Sequence, residues 1–344
     1  MKREPGFDYI RVLATLVIIG FHFYCYSAAS KPSYDCYANG SISATFVTLF
    51  FMLSGACLYA NHGDRRLKLR TFYFKRWKSV LVPFYLVFLV LFVRRAIERG
   101  CLFPTNGPAP WTLLLSAAGL DGFFYYRIRS YYSIGEWFLG AIVLLYLAYP
   151  VLQWAMNRVG WVLQLAVTIL FALLIRMVDT GVYSRFFMID WIRNLIVCLF
   201  SFVTGMSLGR HVEYIKRRCV WIPALVLTGI LLFVPIKGMH YAVNWLTAAG
   251  VFVALTGLGN RLGEVGVYPY VRRFSALTYG MILVHHVLIT DVVRIWNPSD
   301  PTVAFAMMWA VILASAILSK ALSLAVRAME NTPIFRRLEK FCTG

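Results

Sequence analysis

The chain has 344 residues, 60% of them hydrophobic and only 14% charged, with a mean hydropathy of +0.68. A soluble domain carries ~45 to 50% apolar residues, so this composition excludes a soluble enzyme and identifies an integral membrane protein. The net charge of +19 does not point to nucleic acid, because the basic residues cluster at alternate ends of apolar stretches, where membrane topology explains them.

A helix needs ~20 apolar residues to cross a ~30 Å hydrocarbon core. Ten runs approach that length, at 8–28, 43–61, 74–93, 133–155, 161–178, 191–209, 219–235, 241–258, 275–295 and 302–325. They predict an all-α fold, a polytopic membrane helix bundle of about ten transmembrane helices, built as a single domain over 1–344. With the N-terminus inside, segments on the cytoplasmic side hold 21 of the 34 Lys and Arg residues and external segments hold 11. The positive-inside rule therefore predicts a multi-pass protein of the cytoplasmic membrane with both termini cytoplasmic.

The first span carries Arg11 and His22. They are eleven residues apart, close to three helical turns, so both project from one face roughly 16 Å apart along the axis. A charge at bilayer depth costs ~2.5 to 3.5 kcal/mol on insertion scales, so such residues normally face a polar site inside the bundle. The plainer reading of this pair is a buried structural His and a snorkelling Arg. Ser27-Ala28-Ala29 imitates a signal-peptide cleavage site, but the apolar stretch before it is too long and carries Arg11 and His22.

The connection from 62 to 78 holds seven Lys or Arg against Asp64 alone. It reads either as a topology determinant meeting anionic membrane lipids or as a clamp for a polyanionic donor such as a nucleotide-bearing cofactor. The external connection from about 95 to 132 contains Pro104, Pro108 and Pro110, a short helix expected from Trp111 to Leu120, and the aromatics Phe123, Phe124, Tyr125, Tyr126, Tyr131 and Tyr132. It suits stacking on sugar rings or, equally, an interfacial aromatic belt.

Glu136, near the outer end of the fourth span, stands at a level comparable with His22. It suits orienting an acceptor hydroxyl or holding His22 as imidazolium, or simply pairing with an external Arg. In the ninth span His285 and His286 fall mid-bilayer. Adjacent helical positions point ~100° apart, so one is expected to face the interior, and His285 is favoured. Asp190 with Arg193, Asp179 with Arg176, and Asp291 with Arg294 read as local ion pairs at helix ends. Of seven cysteines only Cys36 and Cys101 fall on external loops, as a disulfide or as two thiols. No metal-ligand spacing, Walker loop, GxGxxG or GxSxG pattern occurs, which leaves nucleotide hydrolysis, redox and soluble-hydrolase chemistry without support.

These residues resemble a known pattern. Asp8-Tyr9-Ile10-Arg11-Val12-Leu13-Ala14 with His22 is similar to the opening Asp-x-x-Arg-x-x-Ala and Arg-x10-His of the acyltransferase-3 family of bacterial membrane acyltransferases. Phe50-Phe51-Met52-Leu53-Ser54-Gly55 resembles its second-span Phe-Phe-x-x-Ser-Gly. Phe74-Lys75-Arg76 with Pro83-Phe84-Tyr85, and Trp137-Phe138-Leu139 with Tyr146 and Pro150, follow in order. Two departures stand out: Ser79 replaces a second Arg common three residues after the one matched by Arg76, and Met281-Ile282 replaces an Ile-Tyr pair in the ninth span.

The resemblance implies transfer of an acyl group, most often acetyl from acetyl-CoA, to a hydroxyl of a surface glycan or lipid-linked sugar. On that footing His22, Arg11 and Glu136 are the expected catalytic residues. Arg76, Lys75, Lys78 and Arg11 are expected to bind acyl-CoA, and Glu136, Trp137 and His285 the acceptor. No permanently bound cofactor and no metal ligands are expected. Transport of glycolipid intermediates without acyl transfer is the alternative from another class, and a non-catalytic sensor or scaffold a second.

Overall fold

The computed structural model describes residues 3–29, 34–63, 65–131, 134 and 137–343. Helix α1 (Pro5–Tyr26) starts on Pro5, whose fixed φ and missing N–H suit the first helical position, and carries Asp8 in its first turn. It ends where Ser27 turns extended and donates its N–H to the Phe23 carbonyl. A short antiparallel hairpin follows, β1 (Cys36–Tyr37) with β2 (Gly40–Ser41). Asn39 in its turn donates to the carbonyls of Leu231 and Val234 at 2.5 and 2.7 Å. The Ser41 side chain then caps α2 (Ile42–His62) by accepting from the Ala44 N–H.

Helix α3 (Leu69–Arg76), a π-helical turn at Trp77–Leu81 and α4 (Val82–Arg99) form one continuous rod of 31 residues. Pro83 has no N–H to return to the preceding turn, and the widened turn accommodates it. The connection beyond α4 contains α5 (Leu113–Ala117), shorter than the helix expected from Trp111 to Leu120, and α6 (Asp121–Phe124).

Helix α7 (Trp137–Asp179) is broken at Val159, which has φ −140° and ψ 45°. After α8 (Tyr183–Phe186), helix α9 (Leu195–Arg210) packs on both halves of α7. Tyr149 meets Phe202 before the break and Phe171 meets Phe200 after it, so the chain doubles back. The remaining helices are α10 (Val212–Ile215), α11 (Arg218–Phe233), α12 (His240–Leu262), α13 (Tyr268–Ser275), α14 (Thr278–Ile295), α15 (Pro301–Glu330) and α16 (Pro333–Thr343).

Among the described residues seven helices are long and apolar enough to cross a membrane, against the ten runs expected. The difference has local causes. The runs at 133–155 and 161–178 form the two arms of α7, which is one of the seven but consists of two helices that meet at the Val159 break. The run at 191–209 yields a helix of only 16 residues because the Asn194 side chain accepts from the Ile196 N–H and fixes the start at Leu195. The run at 219–235 also yields 16 residues, because Val234, forced extended by Pro235, ends α11. No disulfide joins Cys36 to Cys101.

Small residues set the closest helix contact. A Cβ added to Gly55 of α2 would collide with the Phe202 carbonyl oxygen, and one added to Gly205 or Gly209 of α9 would collide with the carbonyl oxygens of Met52 or Ala56. Gly205 and Gly209 form a GxxxG step, the device by which membrane helices gain van der Waals contact where lipid offers no hydrophobic drive. The main apolar core lies along this seam, with Phe51, Tyr149 and Phe202 fully enclosed. A second core joins α1, α14 and α15 through Ile19, Phe23, Met281 and Met308.

At the face that carries the N-terminus, α16 folds back over α3. Phe335 stacks on Trp77. Lys78 pairs with Glu339 at 3.0 Å and Glu330 at 3.5 Å, and the Arg70 guanidinium lies 3.6 Å from the Phe341 ring centre. Part of the basic 62–78 segment is thus engaged in packing the C-terminal helix.

Candidate active site

The floor of the site is a polar hub around Asp8, which is 1% exposed. Its carboxylate accepts from Arg3 at 2.6 and 2.8 Å, from Arg11 at 3.2 Å, from Ser275 at 2.7 Å and from Tyr268 at 3.0 Å. Ser275 accepts in turn from Arg11 at 3.1 Å. The buried carboxylate therefore fixes where the Arg11 guanidinium points and balances its charge.

Above the hub lies a cavity of about 280 Å³ whose walls include Arg11, Thr15, His22, Arg76, Trp137 and Tyr146. Most of the remaining lining is apolar, including Ile18, Leu53, Phe138 and Leu283. Arg76 points in from the end of α3, where its guanidinium flanks the Phe72 and Tyr146 rings at 5.9 Å. Its Nε is buried without a hydrogen-bond partner among the described residues. A buried, unsatisfied guanidinium donor is an anion or carbonyl receptor in waiting. Trp137 lines the same wall with the Arg193 guanidinium over its ring.

At the far end the His22 ring lies 4.1 Å from that of His286 and 5.3 Å from that of His285, centre to centre. His285 is fully buried and His286 is 9% exposed. His285 Nδ1 sits 2.8 Å from the Ile282 carbonyl oxygen. A carbonyl only accepts, so Nδ1 carries the proton and Nε2 the lone pair. Where helical phase favours one interior histidine, the crossing of α1 and α14 brings both against His22. One ligand atom from each of the three lies within 4.8 Å of the others. This donor set suits a zinc ion and, equally by distance, a proton passed between imidazoles.

His286 also lines a second cavity of about 260 Å³, with Tyr26, Arg94, Arg95, Asp291 and Arg294. The histidines stand between the two cavities. Here Asp291 takes a different partner from the one expected. It accepts two hydrogen bonds from Arg94 of α4, at 2.5 and 2.8 Å, instead of pairing with Arg294 along its own helix. A bidentate guanidinium across helices outcompetes a helix-end i,i+3 contact. Asp190 does pair with Arg193, at 3.6 Å.

Of the residues expected to act, Arg11, His22, Arg76 and Trp137 line the first cavity and His285 abuts it through His22. Lys75 is exposed and Lys78 is held by Glu330 and Glu339, and neither lines the cavity. Glu136 lies outside the described residues. The aromatic connection divides: Phe123 and Tyr131 are buried, while Tyr125 and Tyr126 are about half exposed.

A family model described as an acyltransferase domain matches residues 4–322, nearly the whole chain. The chain belongs to the acyltransferase-3 family. It is a membrane acyltransferase, and the alternatives of transport without acyl transfer and of a scaffold yield to that assignment. Comparison with curated proteins and with solved structures finds no match. The match spans every element that builds this candidate site, from the Asp8 hub on α1 to the histidine pair on α14.

Proposed function

We propose that this acyltransferase moves an acetyl group from acetyl-CoA to a hydroxyl of a surface glycan or lipid-linked sugar in the cytoplasmic membrane. The reading rests on one observation. His22 lines a cavity with two guanidinium groups and touches His286, which lines a second cavity opening from the opposite end of α1.

The first cavity is the donor side. At about 280 Å³ it has room for the acyl thioester and part of the thiol arm, while the anionic nucleotide stays towards the basic N-terminal face. Arg11 and Arg76 hold the thioester carbonyl and neighbouring polar groups, and Ile18, Leu53 and Leu283 dry the acyl end. The second cavity admits the acceptor. His22 takes the hydroxyl proton as the oxygen attacks the thioester carbon, the carbon–sulfur bond breaks, and the CoA thiolate recovers a proton. In the two-step version the His22 nitrogen attacks first, CoA leaves, and the acceptor then displaces the imidazole. Incubation with radiolabelled acetyl-CoA and no acceptor separates the routes, since only the second leaves label on His22.

Mass spectrometry of surface glycans from cells carrying the wild-type chain, no chain, or His22→Ala tests the assignment. Loss of one acetyl mass per modified unit in both altered strains is expected. Unchanged glycan in both would overturn the acceptor assignment.

A further inference from the structure

Beyond the second cavity, on the face that carries the 100–131 connection, lies a polar recess of about 120 Å³. Arg95, Arg99 and Arg129 line it, together with Ser130, Tyr125 and Tyr131, and no carboxylate is among its lining residues. Arg95 and Arg99 are four apart on α4, a spacing at which like charges repel on one helix face. The returning connection adds Arg129 to the same recess. Arg94, which lines the second cavity but not this recess, is neutralised by Glu98 along the helix and by Asp291 across it. Arg99 and Arg129 take part in no ion pair among the described residues. Converging guanidinium forks present many N–H donors and no acceptor, the usual construction for binding phosphate or carboxylate.

The recess is not isolated from the chemistry. Arg95 lines both it and the second cavity, where His286 stands. A molecule anchored in the recess by an anionic group lays its remainder along that cavity towards His286 and His22.

We propose that this recess is the anchoring subsite for an anionic acceptor, binding a phosphate or carboxylate on the molecule whose hydroxyl is acylated. The volume takes one such group and excludes a nucleotide, so it does not duplicate the donor site. The assignment deepens the function proposed above and rests on it for the identity of the occupant as acceptor. The same anion chemistry is offered by a phospholipid headgroup, and the test separates the two sources.

Purified full-length protein is placed in nanodiscs of phosphatidylcholine, and binding of glucose 1-phosphate, glucuronic acid and glucose is measured by calorimetry. The two anionic probes are expected to bind at least about tenfold more tightly than glucose. The double variant Arg99→Ala/Arg129→Ala should lose that advantage while keeping its acetyl-CoA affinity, and Arg99→Lys/Arg129→Lys should recover part of it. Retained acetyl-CoA affinity guards against a misfolded variant. Equal binding of glucose and the anionic probes, or an unchanged double variant, overturns the subsite. Abolition of probe binding by phosphatidylglycerol in the disc assigns the recess to lipid and overturns its role as an acceptor anchor. Failure of the wild type to bind acetyl-CoA would instead strike the donor reading, and the probe titrations would still report on the recess.

Discussion

His22 of α1 and His286 of α14 lie with ring centres 4.1 Å apart, each lining a different cavity of the same bundle. A proton or acyl group crossing between the cavities meets this pair. His22→Ala is expected to lower acyl transfer by ~10² to 10⁴, the usual contribution of a placed general base. His286→Gln, which keeps polarity without an imidazole, should lose less and should spare donor binding. Steady-state transfer rates with acetyl-CoA titrations check both. Normal turnover in His22→Ala would remove this histidine from the chemistry.

Asp8 is the electrostatic keystone beneath Arg11. Asp8→Asn preserves shape but leaves Arg3 and Arg11 facing a neutral amide, and because both arginines are partly exposed the cost falls towards or below the low end of the ~3 to 5 kcal/mol typical of breaking a fully buried pair. Arg11 keeps Ser275 and Cys57 as neighbours, so a loss at the lower end is expected. It should appear as a lower melting temperature in detergent and as weaker acetyl-CoA binding. Ser275→Ala, which removes one hydroxyl from the hub, should do the same by ~1 kcal/mol. A variant that loses stability without any change in donor affinity would reduce Asp8 to a purely architectural role.

The two residues most readable in the amino-acid order were Arg11 and His22, because ionisable groups in an apolar run carry a cost that packing alone does not repay. Arg76 was readable only through the family pattern, since nothing local separates it from Lys75 and Lys78 in a basic segment. The fold separates them: Arg76 turns inward, Lys75 is exposed, and Lys78 is claimed by carboxylates more than 250 residues away. Ser275 and Tyr268 were invisible for the same reason, being ordinary polar residues whose meaning depends on meeting Asp8 across the bundle. The role of His286 depended on where two helices cross, which helical phase does not specify. The Gly205-to-Gly209 step was a legible signal that pattern reading passed over.

That glycine seam makes its own prediction. Gly205→Val would drive a branched side chain into the Met52 backbone, which is far less able to yield than a side chain. The folded yield in membranes should fall sharply, because α2 and α9 must separate and the apolar core along them opens. Gly229→Ala, at a position with open space around it, is the matched control and should express normally. Fluorescence-detected size exclusion of tagged chains reads both, and a well-folded Gly205→Val would show that the seam tolerates separation.

Asp121 sits in the connection after α4, 4% exposed, accepting from Ser116 at 3.0 Å and from the Gly122 N–H at 2.9 Å. Burial raises its carboxyl pKa above the usual 3.8, and those two hydrogen bonds only partly counter it. A raised pKa means that the folded state holds the proton more tightly than the unfolded chain. The associated stability is fully present below pH 3.8 and is lost as pH rises through the folded value. At neutral pH the ionised carboxylate is therefore a net cost. Asp121→Asn should melt at or above the wild-type temperature at pH 7, and its advantage should shrink as pH falls towards 4. Melting curves across that range decide it, and a gap that widens on acidification would reverse the sign.

The three imidazoles make the site a trap for transition metals. Zinc binds histidine nitrogens at about 2.0 to 2.1 Å, and the ligand atoms of His22, His285 and His286, all within 4.8 Å of one another, need only small side-chain rotations to close on an ion. The Ile282 carbonyl holds His285 through Nδ1 and leaves the lone pair on Nε2, the arrangement that usually supports a metal-ligating histidine. Once coordinated, His22 can neither take a proton nor carry an acyl group. Added Zn²⁺ is therefore expected to inhibit transfer, a chelator to restore it, and His286→Gln to shift inhibition to at least about tenfold higher Zn²⁺, the consequence of losing one of three ligands. Magnesium, which prefers oxygen ligands, should have no such effect. Inhibition that is equally strong in His286→Gln would locate the zinc elsewhere, and full activity in excess Zn²⁺ would show that the cluster does not close.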